Sequence, residues 1–141
     1  MKKVFLDTNI IIDYLARRGD FFEPAAQIVQ LGLQRECQLL VSALSFATAS
    51  FILESHHKLP NEVVVHKFAE FVKMCNVTPV DSFIIDEAIA SRFSDFEDAM
   101  QYYSAIREGA DAIITRNSSD FDVAQIDVFE PHSFLDMLTN E

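Results

Sequence analysis

The run Val4-Phe5-Leu6 ends on Asp7-Thr8-Asn9 and passes at once into a periodic apolar segment, residues 10–15. Consecutive apolar residues closed by small polar ones read as a strand buried on both faces, and the segment behind them reads as a helix. This handover constrains the fold strongly, because a strand hidden on both sides needs helices above and below it. In open α/β sheets ligands lie beyond the carboxyl ends of strands. Asp7 stands at such an end with no cationic neighbour in sequence, which makes it a candidate metal ligand or catalytic acid. The plain alternative is that it caps the following helix, a position Asp favours.

Four more short strand candidates follow, at 38–42, 76–80, 112–115 and 127–129, after a first at 3–7. Helical spacing fills the intervals at 9–16, 23–34, 43–57, 60–74, 82–92, 96–108 and 133–138. Pro24 and Pro60 sit where helices begin, and Gly109 sits where one ends. Strands alternating with helices predict a mainly parallel sheet of about five strands with helices on both faces and right-handed crossovers. The 141 residues fit a single domain, 1–141, with room for a real core.

No apolar run reaches the ~18 residues of a membrane span, and Lys2-Lys3 is followed by too short an apolar stretch for a secretory leader. The expectation is a cytoplasmic protein. Cys37 and Cys75 form no CxxC pattern and read as reduced thiols, and the histidines are too scattered to suggest a metal site. The net charge of −11 disfavours broad, nonspecific binding to nucleic acid. It leaves room for an enzyme that meets nucleic acid through a divalent metal and a few local cations, and it suggests a basic partner.

Three segments bear on Asp7. Ser94-Asp95-Phe96-Glu97-Asp98 opens a helix; Ser94 with Glu97 matches a capping box, and Asp95 could likewise cap. Asp98 has no such structural assignment. The strand at 112–115 ends in Thr115-Arg116-Asn117 with Asp120-Phe121, which also reads as an ordinary turn. Val41-Ser42-Ala43-Leu44-Ser45 is a strand entering a helix, with hydroxyl capping as its plain alternative. Strands one and four are natural neighbours across a switch point. If Asp7, Asp98 and the 117–120 turn converge, they offer hard oxygen ligands to Mg²⁺ or Mn²⁺. Clustered carboxylates repel, and a divalent cation relieves that repulsion.

Over nearly its whole length the chain resembles a PIN domain of the small bacterial kind that includes VapC-type toxins. The resemblance rests on Phe5-Leu6-Asp7-Thr8-Asn9, Val41-Ser42-Ala43-Leu44-Ser45, Asp98-Ala99, and Thr115-Arg116-Asn117 with Asp120-Phe121. It implies a three-layer α/β/α sandwich and a Mg²⁺- or Mn²⁺-dependent ribonuclease, often a homodimer and often paired with a small antitoxin. Asp7 resembles the family's first acid and Asp98 its third, and both are the expected metal ligands. The second acid falls at Thr48 and the fourth at Asn117; Glu54, six residues past Thr48, is poorly placed to substitute. Glu97 and Asp120 are the expected sources of the missing charge, so the catalytic set is Asp7, Asp98, Asn117, Asp120 and Glu97. Thr8, Asn9, Ser45 and Thr48 are candidate contacts to the acids or the substrate, and Arg116 is expected to meet the RNA backbone.

Other readings weigh against this one. The changes at Thr48 and Asn117 suit a PIN-fold binding module without turnover. A haloacid-dehalogenase-type phosphatase needs a second aspartate where Asn9 stands, and a response-regulator receiver needs a lysine where Arg116-Asn117 stands. The apolar stripe of Ala26, Ile28, Val29, Leu31 and Leu33 reads as a core-facing helix or, alternatively, as a groove for a basic antitoxin.

Overall fold

A computed structural model describes residues 1–140, so the expected domain span runs one residue, Glu141, past the described residues. Its strands are β1 (Lys2–Leu6), β2 (Cys37–Ser42), β3 (Asn76–Thr78), β4 (Ala112–Ile114) and β5 (Asp127–Phe129). Its helices are α1 (Thr8–Leu15), α2 (Phe22–Leu33), α3 (Ala43–Ser55), α4 (Asn61–Phe71), α5 (Ser82–Ile89), α6 (Phe96–Arg107) and α7 (Pro131–Thr139). All four strand pairings are parallel and the order is β3-β2-β1-β4-β5. The chain reverses its direction of growth between β1 and β4, which opens a crevice above their carboxyl ends.

The strand alternation builds the two outer layers. Val4 and Leu6 of β1, with Leu39 and Val41 of β2, face a core that includes residues of α1, α2, α3, α4 and α7. Phe5, Leu40 and Ile113 face the other way, onto Tyr102 and Ala105 of α6 and onto Phe121, and α5 packs against α6. This is the expected α/β/α sandwich.

Element ends follow local chemistry. β3 stops at Thr78 because Pro79 has no N–H for the ladder. α4 tightens into a 3₁₀ turn at Val72–Met74 rather than running on as α-helix. α7 starts earlier than the apolar spacing indicated, with Pro131 at its first position. α5 ends at Ile89, where the Ser91 hydroxyl donates to the Ala88 carbonyl. Gly109 terminates α6 at φ +77°, a conformation costly for other residues. In α2, Ile28 and Val29 are buried while Leu33 is 57% exposed, so the stripe is chiefly core.

One close approach sets how tightly α2 lies on the sheet. A Cβ on Gly32 would stand 2.5 Å from Leu39 Cδ1 and 3.0 Å from the Met74 carbonyl oxygen. Leu39 is itself buried, and the Met74 contact is backbone that cannot swing aside as a side chain can. Gly32→Ala is therefore expected to lower the melting temperature, since overpacking costs about 1–3 kcal/mol against a helix-propensity gain of about 1 kcal/mol. Thermal unfolding followed by circular dichroism checks this; an unchanged or raised midpoint contradicts the packing.

Candidate active site

Asp7 leaves β1 at its carboxyl end and is 7% exposed. Its Oδ1 accepts the Thr8 N–H at 2.8 Å, as a helix cap does. Its Oδ2 accepts from the Thr115 hydroxyl at 2.8 Å and from Asn9 Nδ2 at 3.4 Å. The Thr115 hydroxyl in turn accepts from the Asn117 N–H at 3.0 Å and from Asn9 Nδ2 at 3.3 Å. Capping and site geometry thus coexist in one carboxylate. Burial pushes the Asp7 carboxyl above the usual range; the bonds from Thr115, Thr8 and Gln101 pull it down, and the charge of Asp120 adds to the rise.

Asp98 lies in the first turn of α6, whose cap is Asp95, accepting the Asp98 N–H at 3.0 Å. The expected Ser94–Glu97 capping box is therefore not formed. Glu97 instead accepts the Thr48 hydroxyl from α3 at 3.2 Å, which frees the Glu97 carboxylate from local helix duty and ties it to the position where the family resemblance expects an acid. Asp98 is raised to about 7, first by desolvation and then by the charges of Asp7, Asp95, Asp120 and Glu97. Asp120 is exposed on a 3₁₀ turn, Ser118–Phe121, anchored by the buried Phe121. Asn117 is exposed and caps that turn without a side-chain bond. Glu54 faces solvent.

Among the described residues, neither Asp7 nor Asp98 pairs with a lysine or arginine. Also among them, no three His, Cys, Asp or Glu side chains close around a point as a ready cage for a metal ion. The arrangement is an open acidic edge, held together against its own repulsion.

Three expected contacts are corrected. Ser45 is fully buried and Thr8 nearly so. Their hydroxyls bond each other at 2.7 Å, and the Gln101 amide donates to Ser45 at 2.8 Å and to Thr8 at 2.9 Å. The Ser42 hydroxyl donates to Gln101 Oε1. The Thr8 and Ser45 hydroxyls therefore belong to a buried polar network under the site, while the Thr8 N–H meets the acid Asp7 as expected. Arg116 is not a free cation: its Nε donates to Asp13 Oδ2 at 2.7 Å and its second nitrogen to Oδ1 at 3.3 Å. Asp13, 1% exposed, also takes Arg18 Nε at 2.7 Å. The Arg116 N–H donates to Asn9 Oδ1 at 3.3 Å, so Asn9 ties this turn to Asp7.

Gln101, Asp13 and Thr115 carry the site's framework but were not among the residues picked from the sequence. Gln101 follows Asp98 by three and precedes Ala105 by four, so its place on the buried stripe was readable. Asp13 follows Asn9 by four among apolar neighbours. Neither pattern reveals the partner.

Sheet order, crossover and acids together define a class, a small α/β/α domain with carboxylates gathered at the carboxyl edge of its central strands. Residues 3–119 match the family model of the PIN domain. The chain belongs to the PIN domain family. It is similar to Ribonuclease VapC1 of Aquifex aeolicus (strain VF5), 26% identical over 138 residues that cover 94% of this chain and 93% of the relative. Its fold is similar to VapBC2 from Rickettsia felis bound to a DNA fragment from their promoter, with TM-score 0.68 and 14% identity over 91% of this chain and 98% of that one. It is also similar to a toxin-antitoxin complex from Klebsiella pneumoniae, with TM-score 0.68 and 21% identity over 91% and 97% of the two chains.

Two stability outcomes follow. In the unfolded chain Asp98 loses its proton near pH 3.8; in the folded chain it does so near 7. The folded state binds more protons in between, so this group costs stability as pH rises from about 4 to 7 and in full above that. With solvent screening at this half-exposed position discounting the effect to about 1 kcal/mol, Asp98→Asn is expected to raise the melting temperature at pH 8 by about 2–4 °C. The gain should shrink toward pH 4. A destabilised variant at pH 8 contradicts the charge gathering. Gln101→Ala removes partners from three buried hydroxyls and should cost about 1–3 kcal/mol by urea unfolding; a neutral result contradicts the network.

Proposed function

We propose that the protein is a metal-dependent endoribonuclease, using Mg²⁺ or Mn²⁺, and the toxin of a type II toxin–antitoxin pair. The observation that carries this reading is an Asp98 with no cationic partner that feels the charges of Asp7, Asp95, Asp120 and Glu97, which add to desolvation in lifting it to about 7. The donors are all carboxylate oxygens, the ligand type that hard divalent cations take. Mg²⁺ commonly uses one or two carboxylates and draws its remaining ligands from water and substrate phosphate, which fits an open edge without a closed cage. Asp7 and Asp98 are the residues that would hold the ion.

The metal supplies a water of lowered pKa and neutralises charge on the phosphoryl group. The chain's own residues do the positioning. Thr115, Asn9 and the Thr8 N–H fix both oxygens of Asp7. The buried Gln101 network holds the start of α3 and the face of α6 below Asp98 in register with α1. Thr48 holds Glu97, and with Asp120 this carboxylate orients water at the site. Asn117 offers an uncharged oxygen beside it.

Support for the ribonuclease reading comes from the relative named Ribonuclease VapC1, and support for a partner from the toxin-antitoxin complexes that share the fold. An antitoxin would be a small protein with a basic contacting segment, matched to the net charge of −11. A homodimer is the assembly we expect: Val65, Val72 and Val77 are exposed beside Phe46 and Phe68 and offer an apolar contact face. Among the described residues, no helix is long and apolar enough to cross a membrane, and we place the protein in the cytoplasm.

Asp7→Asn and Asp98→Asn should each lower Mn²⁺-dependent cleavage of RNA by at least 100-fold with folding intact, about 2.7 kcal/mol of transition-state stabilisation. The Mn²⁺-induced rise in melting temperature should be larger at pH 8 than at pH 6, because below about 7 a proton competes for Asp98. Unchanged cleavage in both variants contradicts the proposal. The second reading is a PIN-fold module acting through a partner, favoured by the uncharged side chains Thr48 and Asn117. It is chosen if Mn²⁺ gives no thermal shift at either pH.

A further inference from the structure

Beside the acidic edge lies a pocket of about 280 Å³ lined by Asp20, Phe21, Arg116, Glu130, Pro131 and His132. It begins one residue from the site, because the Arg116 N–H is held by Asn9, which also bonds Asp7. Phe21 is 48% exposed, so one face of its ring is open at the pocket. The Arg116 guanidinium lies 3.9 Å above its ring centroid. The donor edge of that guanidinium is committed to Asp13, which it shares with Arg18, while Phe21 beneath it stays half open to solvent.

This chemistry discriminates among ligands. A phosphate would find Arg116, which shares Asp13 with Arg18, flanked by two exposed carboxylates, Asp20 and Glu130; these side chains together are net negative and disfavour an anion. A nucleobase would extend the Phe21–Arg116 stack, since bases bind aromatic and guanidinium planes in single-stranded RNA. Its amino and ring N–H groups would find acceptors in the carboxylates. Glu130 is already turned into place by the Ser118 hydroxyl, which donates to its Oε2 at 3.2 Å. His132 is exposed at the rim.

We infer that the pocket of Phe21, Arg116, Glu130 and His132 seats one unpaired, amino-bearing base of the RNA strand flanking the cleaved phosphodiester. Phe21 is a positioning and specificity residue for the substrate. The inference rests on the ribonuclease reading for its choice of ligand, and it assigns the substrate class as single-stranded RNA with a base free to turn out.

The test uses the full chain with Mn²⁺ and short single-stranded RNAs carrying the fluorescent base 2-aminopurine at each position in turn. Fluorescence is read within the mixing time, and cleavage is read separately on the same RNAs. Quenching is expected at one position in the wild type. Phe21→Ala should weaken binding of that RNA by about 5- to 150-fold, the range of one base–aromatic stack. Phe21→Trp, with the flat surface restored, should bind as the wild type does. Equal quenching in Phe21→Ala overturns the inference. Quenching at no position also overturns it. Cleavage without quenching removes the base pocket and leaves the nuclease; quenching without cleavage leaves the base pocket and removes the nuclease.

Discussion

Asp7 is taken out of water at the end of a buried strand and given hydrogen bonds but no cation. Everything around the crevice depends on that choice. Burial alone would favour the neutral acid. The Thr8 N–H, the Thr115 hydroxyl and the Asn9 amide offset part of the cost and fix the carboxylate in one orientation. Thr115 can do this only because β4 pairs directly with β1, bringing Ile114 opposite Leu6. The sheet order is thus part of the site's chemistry.

Around this fixed acid the chain separates its charges. Arg18 and Arg116 both pair with the buried Asp13 and with neither Asp7 nor Asp98. Among the described residues Asp98 has no cationic partner, and desolvation, with the charges of Asp7, Asp95, Asp120 and Glu97 added to it, raises its carboxyl to about 7. A fold that maximised its own stability would have paired these groups. Residual repulsion of this kind is a mark of sites built to receive a ligand of opposite charge. The Thr48–Glu97 bond shows how a charge absent from α3 can be supplied from the start of α6.

Much of this was legible in the sequence. Three apolar residues running into Asp7 announced β1 and α1, and the alternation of short strands with helices gave the parallel sheet. Residues that act through their own backbone context, such as Asp7 and Gly109, could be read locally. Those that act through a distant partner could not. The capping-box spacing of Ser94 and Glu97 was real, yet Asp95 caps α6 and Glu97 reaches Thr48, because the tertiary contact outcompetes the local one. Arg116 was readable as a cation near the site, but its pairing with Asp13 required knowing that α1 and the β4 turn meet. Ser45 matched the family's motif while serving a network whose centre, Gln101, lies 56 residues away.

The central claim is that a divalent ion displaces a proton from the gathered carboxylates. Titration calorimetry of Mn²⁺ at pH 7 in buffers of different ionisation enthalpy measures that displacement directly. Because the Asp98 carboxyl is raised to about 7, binding at pH 7 should release protons, and the release should fade toward pH 9. Binding with no proton released at pH 7, or no binding at either pH, would contradict the account.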